Sequence, residues 1–175
     1  VRYNNINPMI KNIVNAKIFS TILLTMILPI LVYYLLKTLK KVDSIYLKTT
    51  NERKLPLLIN AFIISLVILR VFTSNEIKEL YYFFIGILVS TLVCFVLAVF
   101  KVKASIHMLA ASGFFMFALA LSINFKININ GIIALMMVLL GAIATSRLHL
   151  KAHTYPELII GSLIGIIPQL LLFIN

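Results

Sequence analysis

Two connections between apolar stretches of the chain combine histidines with cations, which suits them to phosphate chemistry. The first runs from Lys103 to His107, and the second runs from Ser146 through His153 to Glu157. An acid four residues beyond a histidine can accept the ring N–H where the chain begins to wind into a helix. Such an acceptor fixes the tautomer and makes the other ring nitrogen a stronger nucleophile. The spacing therefore predicts that His153 is a nucleophile oriented by Glu157.

Further side chains in these connections predict anion binding and proton transfer. Pro156 can occupy the first turn of the last helix, which places His153 at a helix N-terminus, where exposed N–H groups favour an anion. Arg147 offers a fork for two phosphate oxygens, and Ser105 can donate another hydrogen bond. His107 can protonate a leaving oxygen. Two alternatives stay open: interfacial snorkelling of the basic side chains, and a capping role for the acid.

These patterns resemble the signatures of the phosphatidic acid phosphatase type 2 and vanadium haloperoxidase superfamily. The third signature, S-R-x5-H-x3-D, is matched by Ser146-Arg147, His153 and Glu157, with Glu in place of Asp. The second, P-S-G-H, is matched in part by Ala104-Ser105-Ile106-His107. The first, K-x6-R-P, is absent from its usual place, and its nearest substitutes are Lys101 or Lys103 and the set Lys48, Arg53 and Pro56. The chain resembles in particular the short six-helix members found in Bacteroidetes, and the resemblance covers nearly its whole length.

The resemblance implies a phosphomonoesterase or diphosphatase that needs neither a metal nor another cofactor. In such an enzyme His153 attacks phosphorus, Glu157 orients it, and His107 protonates the leaving group. The phosphoryl oxygens are neutralised by four further side chains, namely Lys103, Arg53, Arg147 and Ser105. The implied substrate is a phosphorylated lipid: a polyprenyl diphosphate, a phosphatidic or phosphatidylglycerol phosphate, or a lipid A phosphate. Among the five acidic residues, no pair has an obvious spacing for a magnesium site.

The elements that must position these residues are predicted to be membrane helices. Of the 175 residues, 62% are hydrophobic, and the mean hydropathy is +1.08, so one soluble core cannot hide the apolar surface. We expect an all-α polytopic membrane protein with a single domain. Its six transmembrane helices are predicted at about 18–36, 57–72, 81–100, 106–123, 131–145 and 156–174. Both histidine motifs then follow odd-numbered helices and lie at the same membrane face.

The charge pattern points to membrane lipids as partners and argues against nucleic acid. The net charge is +11, but the cations are scattered among short loops and form neither a tail nor one helix face. We expect an integral protein of the bacterial inner membrane and leave its orientation open. The polar, basic start predicts no cleavable signal, and the missing initiator Met indicates that the numbering begins inside a longer chain. Cys94, the single cysteine, excludes an internal disulfide.

Two classes of function remain open besides a weaker third one. The first is the lipid phosphatase, and the second is a catalytically silent relative that serves as a membrane subunit or lipid-binding partner of a larger complex. The degenerate first signature favours the second class. A small transporter is the third, and the absence of ionisable residues deep within a predicted helix argues against it.

Overall fold

The computed structural model describes residues 8–41, 49–72 and 77–173, and these form helices joined by short connections. In chain order the elements are α1 (Pro8–Ile22), a π-helical turn (Leu23–Ile27), α2 (Leu28–Thr38), α3 (Thr50–Arg70), α4 (Lys78–Val99), α5 (Ile106–Phe125), α6 (Asn130–His149) and α7 (Tyr155–Phe173). Because α1 continues through the π-helical turn into α2, the described residues form six long helical segments. The predicted all-α bundle is confirmed. Lys48 and residue 174, the predicted end of the last helix, lie outside the described residues.

Five of these segments are long and apolar enough to cross a membrane: Lys11–Thr38, Lys78–Val99, Ile106–Phe125, Asn130–His149 and Tyr155–Phe173. Many large apolar side chains on them are exposed, among them Phe19, Val138 and Leu171. Such a surface is stable in lipid, where helices satisfy their own backbone hydrogen bonds. The sixth segment, α3, has 21 residues, but its first turns also carry charged side chains. The protein is an integral membrane protein.

Helix α3 begins seven residues earlier than the predicted start at residue 57. Thr49 caps it, since its hydroxyl accepts from the backbone N–H of Glu52 at 3.3 Å and donates to the Glu52 carboxylate at 2.6 Å. This is a form of the capping box, a strong local start signal. Pro56 therefore lies inside the helix. As a result Arg53 belongs to a helix and not to a loop.

The centre of the bundle is the packing of α5 against α7. At Gly113 an added Cβ would lie 3.3 Å from the carbonyl oxygen of Gly165, so the two backbones approach closely where side chains are missing. Two hydrogen bonds tie α4 to α7: Ser90 Oγ donates to Ile164 O at 2.8 Å, and Gln169 Nε2 donates to Phe83 O at 3.0 Å. Helix α6 lies against α5 at the periphery.

One end of the bundle gathers the starts of α3, α5 and α7 and the ends of α2, α4 and α6, and we call it the site face. Hydrogen bonds hold its connections together. Arg53 Nη1 donates to Ala104 O at 2.7 Å, and Lys103 Nζ donates to Ala152 O at 2.8 Å. Both histidine motifs lie at this face, as the parity of their connections predicts.

Candidate active site

The central pair of the site is His153 and Glu157. The distance between His153 Nδ1 and Glu157 Oε2 is 2.6 Å, and the side chains are 6% and 22% exposed. An ionised carboxylate only accepts hydrogen bonds, so Nδ1 carries the proton and donates it to Glu157. The other ring nitrogen, Nε2, then keeps its lone pair. This is the tautomer that a nucleophilic histidine requires.

Glu157 also caps the start of α7, where backbone N–H groups lack helical partners. The backbone N–H of Thr154 lies 3.4 Å from Oε2, within hydrogen-bond reach. Lys103 Nζ approaches the same oxygen at 3.9 Å. A carboxylate in the first helical turn interacts favourably with the helix dipole and with a free N–H. The sequence leaves capping and orienting as alternative roles for Glu157. Its Oε2 can serve both roles at once, because it contacts both His153 and the backbone N–H of Thr154.

The surroundings of His153 favour its neutral ring. Burial lowers the pKa of His153 below its ordinary 6.5, and the charges of Lys103 and Arg53 lower it further. The hydrogen bond and the negative charge of Glu157 raise the pKa and oppose this shift. Because the net direction is downward, the ring is neutral at pH 7 and Nε2 is available for attack.

Arg53 enters the site from α3. It is 4% exposed. Arg53 lies on the buried face of α3 together with Leu57, Ala61 and Ile64, because residues three or four apart share one face of a helix. Its Nη1 donates to the carbonyl oxygen of Ala104. Its positive charge also acts on His153 and Glu157. Arg53 therefore fastens α3 to the connection before α5 and makes the site electropositive.

His107 is the second residue of α5 and is exposed. The positive charges of Arg147 and Arg53 act on its ring, as does His153. The two histidines thus share one electrostatic environment although they are 46 residues apart, as their numbers show. This proximity is one condition for the two rings to act on the same phosphate.

Arg147 lies in the last turn of α6, two residues beyond the predicted helix end. Its Nε is buried and has no hydrogen-bond partner among the described residues. A buried donor without a partner is costly, and an anion that accepts from it removes that cost. Arg147 is therefore the clearest candidate for binding an oxyanion beside the histidines.

Ser105 is placed differently from the prediction. It is fully buried, at 0% exposure, and its hydroxyl oxygen accepts from the backbone N–H of Met108 at 3.4 Å. In this conformation a phosphate cannot reach the hydroxyl, and the residue serves as the N-cap of α5. The expected hydrogen bond from Ser105 to phosphate is thus replaced by a structural role, because the helix start needs an acceptor for its unpaired N–H groups.

The sequence patterns did not reveal how closely α7 approaches Ser105. An added Cβ at Gly161 would lie 2.5 Å from Ser105 O and 3.1 Å from Ser105 N. The G-x-x-x-G spacing of Gly161 and Gly165 indicates a helix contact. It does not indicate that the contact supports the histidine motifs.

All seven predicted site residues thus lie at the site face: His153, Glu157, Lys103, Arg53, His107, Arg147 and Ser105. Ser105 N donates to Glu157 O at 3.0 Å, and only its hydroxyl departs from the predicted role. Among the described residues, no group of three His, Cys, Asp or Glu side chains is placed to hold a metal ion. Comparisons of the chain with protein-family models, with curated proteins and with solved structures found no match.

Proposed function

We propose that the protein is a phosphatase of the bacterial inner membrane that removes phosphate from a lipid through a phosphohistidine intermediate. The observation that carries this proposal is the 2.6 Å contact between His153 and Glu157. It supplies an oriented nitrogen nucleophile in the neighbourhood of a buried arginine N–H without a partner. Nucleophile, orienting acid and anion-binding group are the parts that phosphoryl transfer needs.

The proposed reaction has two steps. In the first, Nε2 of His153 forms a bond to phosphorus while the bond from phosphorus to the lipid oxygen breaks, and His107 gives that oxygen a proton. In the second, water attacks the phosphohistidine, the P–N bond breaks, and His107 takes the proton from the water. The products are a dephosphorylated lipid and inorganic phosphate. Arg147, Lys103 and Arg53 stabilise the charge on the phosphoryl oxygens.

An apolar groove supports a lipid as the substrate. It has a volume of about 610 Å³ and lies between α2 and α3, with Tyr33, Leu36, Leu57 and Ile63 among its lining residues. Ile106, which immediately precedes His107, also lines it. A hydrocarbon chain in this groove would leave its phosphate at the site face. Candidate substrates are polyprenyl diphosphates, phosphatidic or phosphatidylglycerol phosphates and lipid A phosphates.

A second function, a catalytically silent membrane subunit or lipid-binding partner of a larger complex, is favoured by three specific observations. Ser105 is fully buried, and Arg53 is already bonded to a backbone carbonyl. Lys103 likewise donates to the carbonyl oxygen of Ala152, so three of the four predicted phosphate ligands have structural roles. Arg147, together with the positive charges of Arg53 and Lys103, would still bind a lipid phosphate without turnover.

Phosphate release from a panel of lipid phosphates by the purified protein distinguishes these functions. The enzyme should act in the presence of a chelator, and His153→Ala should abolish release. His149→Ala is the matched control, because His149 is exposed in the last turn of α6 and should leave the rate unchanged. Equal rates for His153→Ala and the parent protein would refute the proposed nucleophile. No release from any lipid tested would favour the silent subunit.

A further inference from the structure

Four helices end with the same backbone motif. At the end of α2, Lys40 N donates to Lys37 O at 3.0 Å and Lys41 N donates to Leu36 O at 2.9 Å. This pair of bonds defines a Schellman motif, with Lys40 as the first residue beyond the helix cap. The equivalent bonds end α4, α5 and α6 at distances between 2.8 and 3.3 Å. The residues at the equivalent position are Lys101, Lys126 and Lys151.

Lysine is an unexpected residue at this position. The four lysines have φ between 50° and 61°, and among the described residues they alone have a positive φ. Glycine normally occupies the position, because a Cβ disfavours the left-handed conformation. The presence of lysine at all four helix ends therefore indicates that the lysine side chain has a function that glycine could not supply.

Each of these lysines directly follows an exposed apolar residue. On the site face these residues are Leu39, Phe100 and Leu150, which are 57%, 74% and 59% exposed. An apolar residue followed by a cation at the end of a spanning helix suits the border between hydrocarbon and headgroups. The apolar side chain can stay in hydrocarbon while the ammonium group lies at the depth of the lipid phosphates.

The surroundings of the three site-face lysines favour lipid over an acidic protein segment. The apolar windows of the first helical segment and of α6 are 0% and 6% buried in the bundle, so Lys40 and Lys151 end helices that turn much of their surface toward lipid. Among the described residues, no acidic side chain forms an ion pair with either lysine or with Lys101. Their charges are thus available to the membrane surface.

We propose that Lys40, Lys101 and Lys151 form a cationic collar on the site face that binds the phosphate groups of anionic phospholipids. The left-handed backbone at the three helix ends holds the lysines just beyond the spanning segments. The ligand is the headgroup of an anionic membrane lipid, and the binding is electrostatic and requires no catalysis. The proposed lipid binding by the collar therefore does not depend on the proposed phosphatase activity.

The test uses the full chain in phosphatidylcholine vesicles that contain spin-labelled phosphatidylglycerol or spin-labelled phosphatidylcholine. The parent protein should prefer phosphatidylglycerol at low salt and lose much of this preference at high salt. The triple variant Lys40→Gly/Lys101→Gly/Lys151→Gly should lower the preference, by up to about fivefold for each lysine removed. Glycine suits the left-handed conformation, so the helix ends should persist, and circular dichroism checks that they do.

Lys126→Gly is the matched control for the backbone change, because it removes one lysine of the same kind at the opposite face. It should lower the preference by no more than about fivefold, and therefore by less than the triple glycine variant does. A second triple variant, with Lys→Arg at the same three positions, should keep the preference because the charge remains. The proposal is overturned if the triple glycine variant retains the parent preference. It is also overturned if Lys126→Gly lowers the preference as much as the triple glycine variant does. Should the triple glycine variant not fold, Lys→Gln at the three positions gives the same comparison.

Discussion

The backbone N–H of Ser105 donates a 3.0 Å hydrogen bond to the carbonyl oxygen of Glu157. This bond joins the N-cap of α5 to the first turn of α7, so the main chain itself holds the two histidine motifs together. One turn further along α7, Gly161 lets the helix approach Ser105 without a side chain between them. The position of His107 relative to His153 therefore depends on the contact between these two helix starts.

Gly161→Ala should consequently destabilise the protein and lower any activity of the site. The new Cβ would lie 2.5 Å from Ser105 O, a backbone atom that cannot move alone. Overpacking of this kind costs about 1–3 kcal/mol. Thermal unfolding in detergent measures the loss.

Gly141→Ala is the matched control for this substitution. Nothing lies within 4 Å of a Cβ added at Gly141 on α6, and alanine favours a helix interior by roughly 0.5–1 kcal/mol over glycine. The control should be neutral or stabilising. Equal stability of the two variants would contradict the close approach of α7 to Ser105.

Arg147→Met should reduce anion binding while leaving the fold intact. Since Nε of Arg147 has no hydrogen-bond partner among the described residues, its removal should change the free energy of unfolding by less than about 0.5 kcal/mol. The affinity for vanadate should fall roughly 10- to 100-fold with the loss of charged hydrogen bonds. Isothermal titration with vanadate measures this change.

Arg53→Met, in contrast to Arg147→Met, should destabilise the fold. It removes the donor of the 2.7 Å bond to Ala104 O, and Ala104 is 2% exposed. A buried carbonyl without a partner costs about 1–3 kcal/mol, so this variant should unfold at lower temperature than Arg147→Met. A reversed order of stability would show that the two arginines have exchanged roles.

The activity should have an acid limb below pH 6.5, the ordinary pKa of histidine. Burial lowers the pKa of His153, so the neutral nucleophile persists as the pH falls through 6.5 and is lost only at lower pH. As the pH falls, His153 binds a proton in the unfolded chain before it does so in the folded chain. The contribution of His153 to stability is therefore present above pH 6.5 and decreases as the pH falls below it. Measurements of kcat/KM and of the unfolding free energy against pH test both statements.

Two substitutions should move this limb in opposite directions. Lys103→Gln removes a charge that lowers the pKa of His153, and Glu157→Gln removes the partner that raises it. The limb should therefore shift to higher pH in the first variant and to lower pH in the second. Glu157→Gln should also lower the rate by orders of magnitude, because the ring loses its orienting carboxylate. Shifts of the same sign would refute the electrostatic account.

Much of the fold follows from hydropathy alone, because lipid requires long apolar helices. The predicted start of α5 at residue 106 agrees with the structure, and α7 begins one residue before its predicted start at 156. The start of α3 was wrong because the prediction followed apolar residues and passed over the local signal of Thr49 and Glu52. Charged residues can occupy the first turn of a helix when a cap stabilises its start.

The site itself could be predicted only in part. His153 lies just before α7 and Glu157 lies in its first turn. Their spacing of four residues determines their contact, which is local. The burial of Ser105 and Arg53 depends on how α3 and α7 pack against the connection before α5, and no spacing within one motif contains that information. The left-handed lysines were equally unpredictable, because glycine is the residue from which such helix ends are usually recognised.

The last prediction separates the roles of the two histidines by the leaving group. His107→Ala should spare substrates whose leaving group has a low pKa, since such a group departs with little protonation, and should slow alkyl phosphates strongly. His153→Ala should abolish turnover of both kinds, because the attacking nitrogen is lost. The comparison requires kcat/KM for an aryl and an alkyl phosphate in both variants. If His107→Ala slows both substrates equally, His107 is no general acid, and its exposed position within the electrostatic influence of Arg147 would then indicate a role in phosphate binding alone.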